Sequence, residues 1–569
     1  MVLRRFLAAL AQKSGSLVWH FRLPTPSDGR KDRAMIDVLD YWGFCLRDFL
    51  VLGCLILGSL GGLHRAEARD GAKAGAYQAL FDFFEHSSLD EESCSNELSP
   101  MLTNFLLQDA QDLHRSHIPS LSSIEELWLI RQLAHDSLSQ AYFQLAEEYD
   151  HQYAVDFLSP CVAVLRVLMR LARYSEEIQV LRGWGNPELP GILEGPKPFL
   201  YLTSTVQDVW DRDDLAANLQ TGDIILTRSD ASVSGVVSRV ADSPHQYAHL
   251  AVVYRDEETG EISTLEKLIE RNLVVSSIEE WQKKSLSRLA VFRFRAEFRE
   301  LAVESVRNLK ATVDLIEEAG GRFIYDFRYD DGVSNRQQWP KDIETPLGLM
   351  SRYPRTHCSG LLEICVGPLI PEFPVFPSSL KEVDSRFLDY LQIQTPSLFM
   401  PSDLEVDPFV ELVAEWRQPS RLRNTQIMDI VVDRSLQWMR EKNYVFMENQ
   451  LTDSFKASAV ALFRHLGVAR NRISKDVPKP LLEAIINIDT VTKALASELR
   501  AVDDEFRLSQ SEETELPVFL GWSEMLSELE VIRQKDWEQF RAWYWNGHHR
   551  ASRFHGRFRP ADIYDPSLH

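Results

Sequence analysis

Cysteine is scarce in this chain: six among 569 residues, namely Cys45, Cys54, Cys94, Cys161, Cys358 and Cys365. So low a count excludes a small disulfide-built scaffold. None of the six has the spacing of a zinc site, and Cys358 and Cys365 stand two turns apart on one helix face, which suits packing. A Cys94–Cys161 bridge is open to the chain if it is exported, and the sequence does not decide it. Basic residues are also in deficit, 62 Lys and Arg against 84 Asp and Glu, for a net charge of −22. Such a surface repels phosphate backbones and anionic headgroups outside local patches, so no nucleic-acid partner is expected. Internal repeats and low-complexity segments are absent. The 44% apolar and 26% charged content is that of a soluble globular protein. The length calls for two to four domains.

Long apolar runs are missing too. Phe49–Leu63, "FLVLGCLILGSLGGL", is uncharged but only fifteen residues long, against about 20 for a spanning helix. Arg47 precedes it, and Ala66-x-Ala68 after it resembles a signal-peptidase site. The segment reads as an export signal or membrane anchor, and otherwise as a buried core helix. Its 48-residue leader is long for a signal, and a start at Met35 would shorten it. Cys54 has no lipobox around it. An exported, periplasmic or membrane-anchored protein follows from the first reading, a cytoplasmic one from the second.

From Ala76 to Tyr201 the pattern is helical. Ser122-Ser123-Ile124-Glu125 is a capping box, and Leu127, Ile130, Ala134, Leu138, Ala141 and Leu145 then line one helix face. Ser159-Pro160 reads as the start of a further helix, and the Gly/Pro-rich Gly183–Pro198 as a domain edge. The period then changes. Thr221–Arg228, Ala248–Arg255, Glu261–Glu266 and Leu289–Phe294 are strand-like, with "DEETG" a hairpin turn between the second and third. A helix is expected over Glu297–Ala319, then a loop and a helix opened by Cys358 and closed at Gly367-Pro368. After the proline-punctuated "GPLIPEFPVFPSS" the chain reads as helical again from Asp403 onward. The expected division is a leader over 1–48, a signal or anchor segment over 49–68, and a helical region over 76–205. A mixed α+β domain over 215–385 and a helical region over 400–569 complete it.

Chemistry concentrates in the α+β segment. Cys358, in "YPRTHCSGLLEICVG", sits where a helix begins, and unpaired amides there lower a thiol's pKa, as does a nearby imidazolium. About 110 residues upstream, the strand "AHLAVVYR" carries His249. A nucleophile and a base of this kind need a third group to orient the imidazole. Glu266 closes the next strand and is the natural candidate, with Glu270 in "KLIERN" its rival.

The linear order of these pieces resembles the circularly permuted NlpC-type papain-like cysteine hydrolases of the YiiX/YebB kind. "LQTGDIILTR" is similar to that family's opening Gly-Asp strand, and "AHLAVVY" to its histidine strand. "STLEKLIERNLVVSSIEEW" is similar to its acidic strand with the following Trp, and "IYDFRYD" precedes "HCSGLL", similar to its Cys-Ser helix. The resemblance spans Leu219–Phe373. It implies a permuted papain-like core, flanked here by helical regions. It further implies Cys358 as nucleophile, His249 as general base and acid, and Glu266 as the residue holding His249, with no metal or organic cofactor. Two departures flank the nucleophile: His357 where the family usually has an aromatic, and Gly360 where it often has Glu. The implied substrate is an amide, as in cell-wall peptides. A lipid acyl ester or thioester is the alternative, with hydrolysis or acyl transfer as the outcome. A third reading, of another class, is a helical scaffold around a vestigial core.

Plainer readings exist for each residue. Cys358 alone is an inert buried thiol, His249 a core histidine, and Glu266 an exposed strand end. His245 and His357 read as loop and helix-cap residues, while Tyr325, Asp326 and Tyr329 suit either a cleft wall or packing. The tail Arg541–Pro560 holds five arginines, three histidines and no acid. It reads as docking on the protein's own acidic surface, with a headgroup contact or metal binding by His548, His549 and His555 as alternatives.

Overall fold

Two long helices, α1 (Leu121–Glu148) and α2 (His151–Gly183), are joined so tightly that they must run antiparallel. The predicted face of α1 is buried at Leu127, Ile130, Ala134 and Leu138. α2 begins earlier than the Ser159-Pro160 signal suggests, and Pro160 lies inside it. The Asp150 carboxylate accepts the Tyr153 N–H at 2.8 Å and starts the helix there. Ser159 Oγ bonds the Val155 carbonyl at 2.7 Å beside the proline. A Cys94–Cys161 disulfide ties α2 to the segment before α1.

The computed structural model describes residues 78–103, 121–183, 199–202, 218–241, 245–268, 272–278, 286–319, 324–325, 346–352, 355–381, 383–393, 395–447, 478–510, 517–546 and 554–561. All of them fall in one unit, Gly62–His569. The expected leader and signal segment, the Gly/Pro-rich loop after Gly183, Glu270, Asp326, Tyr329, His548, His549 and the side chains of the Ser122-Ser123 cap lie outside the described residues. Among the described residues no helix is long and apolar enough to cross a membrane.

The sheet strands are β1 (Phe199–Leu202), β2 (Ile224–Ser229), β3 (His249–Arg255), β4 (Ile262–Leu268), β5 (Asn272–Ser277) and β6 (Leu286–Phe294). Gly222, at φ +94°, takes the left-handed turn into β2, and the next residue, Asp223, is clamped by Arg293 Nε at 2.7 Å. In the β3–β4 turn the Asp256 carboxylate accepts the N–H groups of Glu258 and Thr259, and Gly260 supplies φ +72°.

Helix α3 (Ser232–Val237) follows β2, and α4 (Arg299–Glu318) follows β6. A parallel pair, β7 (Ile324–Tyr325) and β8 (Arg355–Thr356), brackets α5 (Pro346–Arg352) and leads into α6 (Cys358–Val366). Next come β9 (Ser378–Ser379), α7 (Ser385–Leu391), β10 (Ser397–Leu398) and β11 (Val410–Arg417). The chain continues through α8 (Pro419–Lys442), β12 (Tyr444–Phe446), α9 (Lys479–Gln510), α10 (Trp522–Asn546) and β13 (Phe558–Pro560).

The seven-stranded sheet runs β1-β11-β6-β2-β3-β4-β5, antiparallel throughout. The expected α+β class is therefore met, but two boundaries are corrected. β11 lies within the stretch expected to be helical from Asp403, and β1 within the helical region expected before residue 205. Both belong to the central sheet, so its strands come from three of the expected regions. One face of it, with Ile224, Leu226, Leu250, Val252, Ala290 and Phe292, shares a core with α1, α2, α4 and α6. The other carries Ile225, Val253, Val291 and Val413.

β11 is placed by buried charge. Glu415 accepts both nitrogens of Arg131 at 3.0 and 2.6 Å, Arg173 at 2.8 Å, Arg417 at 3.0 Å and the Tyr247 hydroxyl at 2.9 Å. Arg288 joins Glu177 to Asp429, which also takes Arg228 at 2.6 Å. These ions, all nearly solvent-free, bind α1, α2 and α8 to the sheet. Their mutual pairing offsets a desolvation cost that any one alone could not bear.

Candidate active site

Cys358 is the first residue of α6. His357 at the N-cap is extended, so the first-turn amides of the helix have no partner within it. α6 packs against β3 and β4, where the other two predicted residues stand. His249 opens β3, and Glu266 pairs in register with Ala251, two residues along. His249 and Glu266 thus share a sheet face as diagonal neighbours. Their side chains meet at 2.9 Å, His249 Nε2 to Glu266 Oε2, with the carboxylate fully buried and the imidazole 22% exposed.

His249 is also hydrogen-bonded to Cys358, and the two perturb each other's protonation. Burial disfavours the imidazolium, but the bonds to Cys358 and Glu266 outweigh it and push the His249 pKa up to about 9. For Cys358 burial disfavours the thiolate, and the His249 bond and charge, the His357 ring and the Ser359 N–H together bring its pKa below the usual thiol value. The same contact therefore favours the thiolate of Cys358 and the imidazolium of His249 together. The other free thiol among the described residues, Cys365, is buried where burial drives its pKa far up, so it is inert packing.

The structure brings Cys358, His249 and Glu266 together as expected, while Glu270 lies outside the described residues. Ser276 was not foreseen. Its hydroxyl lies 3.3 Å from Glu266 Oε1 and steadies the carboxylate oxygen that His249 does not use. Ser276 pairs with Thr264, which places it diagonal to Glu266 on the same face. "NLVVSS" does not alternate between apolar and polar residues, so no local pattern in the sequence marked Ser276.

The departures beside the nucleophile acquire physical reasons. A Cβ at Gly360 would overlap Thr356 Oγ1 and press on the His357 ring, so no side chain fits there. His357 is buried at the cap position. Ser359 anchors the helix start by donating to the Phe399 carbonyl. His245 is buried, its Nε2 2.9 Å from Ser378 Oγ, which donates to Asp403. His555 does not await a metal, since Asp536 holds its Nδ1 at 2.7 Å and the Tyr444 hydroxyl its Nε2 at 2.9 Å. Among the described residues no group of three His, Cys, Asp or Glu is arranged to hold a metal ion.

No protein-family model, curated protein or solved structure matches the chain. The functional reading therefore rests on the geometry of the site.

Proposed function

We propose that this chain is a cysteine-dependent hydrolase with a permuted papain-like core, acting through Cys358, His249 and Glu266. The observation that carries the reading is His249, held by buried Glu266 at 2.9 Å and bonded to a cysteine at a helix start. The Cys358 thiolate attacks a carbonyl carbon, and the first-turn amides of α6 stabilise the oxyanion that develops. His249 gives its proton to the leaving group as the C–S bond becomes a thioester. A water, deprotonated by the now neutral His249, attacks that thioester and returns the thiol. Glu266 keeps the imidazole oriented throughout.

The first substrate class is an amide, as in cell-wall peptides. An acyl ester or thioester is the second. The Cys94–Cys161 disulfide supports an exported location, because such bonds persist in oxidising compartments.

Iodoacetamide labelling across pH tests the chemistry. Labelling of Cys358 should persist well below pH 8 and weaken in His249→Ala. A Cys358 that labels no faster than an unperturbed thiol would overturn the reading in favour of a helical scaffold around a vestigial core.

A further inference from the structure

Four backbone amides, those of His245 to Ala248, lead into His249. The Ala248 N–H continues the β2–β3 ladder by bonding the Thr227 carbonyl at 2.9 Å, and the His245 N–H bonds the Ser238 carbonyl at 2.8 Å. The two between them, of Gln246 and Tyr247, both end on one hydroxyl, Ser402 Oγ, at 3.1 and 2.9 Å. Ser402 lies in a 3-10 turn, Pro401–Val406, just beyond Phe399. The Phe399 carbonyl accepts the Ser359 hydroxyl next to Cys358. One buried segment thus touches the chain directly after the proposed nucleophile and shortly before the proposed base. Even fully extended, its two anchor residues stand no more than about 11 Å apart.

Asp403 fixes the shape of this segment. Its carboxylate accepts the Met400 N–H at 2.7 Å, the Ser378 N–H at 3.0 Å, the Ser378 hydroxyl at 2.6 Å and Arg166 at 2.8 Å. His245 Nε2 reaches the same Ser378 hydroxyl at 2.9 Å. Since that hydroxyl directs its one proton at Asp403, the imidazole is the donor there. Burial, with Arg166 and Arg239 near, holds His245 neutral by keeping its pKa well below the usual value. Serine stands between acid and imidazole here, whereas a hydrolytic triad needs the imidazole in the middle. Ser378 is therefore no second nucleophile, and the cluster is a brace.

We infer that Phe399–Asp403 is a strut that sets the spacing of Cys358 and His249, with Ser402 and Asp403 as its positioning residues. The inference rests on the hydrolase reading above and adds what holds its two reacting side chains in place. His249 is the first residue of β3 and Cys358 the first of α6, so each is restrained by its own element from one side only. Local opening starts at such ends. A misplacement of about 1 Å between reacting groups costs about 10²-fold in rate. The strut supplies the missing restraint to both ends at once.

The test follows iodoacetamide labelling of Cys358 in the full chain, as the ratio of the rate at pH 6 to the rate at pH 9.5. That ratio reports the Cys358–His249 pair. It cancels altered access to the sulfur, which a merely structural change would cause at both pH values. Ser402→Ala should lower the ratio about tenfold, the effect of weakening one charge-assisted hydrogen bond. Ser402→Thr keeps the hydroxyl and should restore most of it. Leu529→Ala, in the core of α10 where that helix packs on α8 and α9, should lower the melting temperature and leave the ratio alone. Ser359→Ala cuts the other end of the strut and should act like Ser402→Ala, and combining the two should add little to either. A ratio unchanged in Ser402→Ala, losses that multiply in the double variant, or an equal fall in Leu529→Ala overturns the strut. If Ser402→Ala does not fold, Ser359→Ala with Asp403→Asn makes the same comparison. The hydrolase reading fails by a different result, a wild-type ratio no higher than that of His249→Ala, and the strut falls with it. A wild-type ratio above that level, matched by Ser402→Ala, removes the strut alone.

Discussion

His249 and Glu266 form their 2.9 Å contact diagonally, because the register sets Glu266 opposite Ala251. The carboxylate thus reaches along the sheet face to Nε2 of an imidazole that is also hydrogen-bonded to Cys358. Glu266→Gln keeps the shape and removes the charge. It should lower kcat/KM on any accepted substrate by about 10²- to 10³-fold, within the range of an acid–base contribution. It should also move the alkaline limb of the pH profile downward, since Glu266 is one of the groups raising the His249 pKa. An unchanged limb would remove Glu266 from the triad.

The pH dependence has a definite sign. His249 must keep its proton to release the leaving group, and its pKa lies at about 9, so activity should decline as pH rises through about 9. Cys358 must be ionised, and its pKa lies below that of an ordinary thiol, so the acid limb should fall below the pH where free cysteine loses reactivity. A profile rising steadily through pH 9 would contradict the thiolate–imidazolium pair.

Gly360 is confined by Thr356. Gly360→Ala should destabilise the protein by about 1–3 kcal/mol, the cost of overpacking, and should slow Cys358 alkylation as the first turn of α6 shifts. Adding Thr356→Ala should recover most of both losses. Thermal unfolding and alkylation of the single and double variants make the comparison.

Glu415 neutralises a cluster of arginines. Glu415→Gln should cost about 3–5 kcal/mol, because Arg131, Arg173 and Arg417 are left short of negative charge in a dry interior. Glu415 and Asp429 both have pKa values held below their ordinary 4.5 and 3.8 by the surrounding arginines, although burial pulls the other way. A depressed carboxylate stabilises the fold above its unfolded pKa and stops doing so as pH falls through the folded one. Stability should therefore drop as pH falls below about 4, and denaturant titrations at pH 6 and pH 3 would reveal it.

The Cys94–Cys161 bridge ties α2 to a segment 67 residues upstream. Cys94→Ser with Cys161→Ser should lower stability by about 2–5 kcal/mol. Cys358 labelling below the unfolding temperature should be untouched, because the disulfide makes no hydrogen bond to a residue of the proposed triad. Loss of labelling there would show that α2 supports the thiol.

The triad and its strands were legible because each piece is local. "AHLAVVYR", "EISTLE" and the helix after "THC" carry their periods and caps within a few residues. β11 was not legible for the opposite reason. In "VELVAEWR" Val410, Leu412, Ala414 and Trp416 alternate as in a strand, but the run is short and set among helical patterns, and Glu415 and Arg417 look like a solvated face. Only arginines contributed by α1 and α2 make those charges tolerable inside a sheet. Pro160 misled in the same way: a good start signal gave way to the cap at Asp150 and to the long packing face of α2. The reason for Gly360 was equally invisible, since it lies in Thr356 one helical turn away.

β11 also sets an order of events during synthesis. β6 is complete once residue 294 has been made, yet its neighbour at 410–417 arrives more than a hundred residues later. At about 5–20 residues per second, the β6 edge waits unpaired for roughly 6 to 25 s. Cys358, His249 and Glu266 can all be present before that edge closes. A fragment ending at residue 385 would hold the whole triad and still present an open strand to its neighbours, so its expected fate is association rather than catalysis.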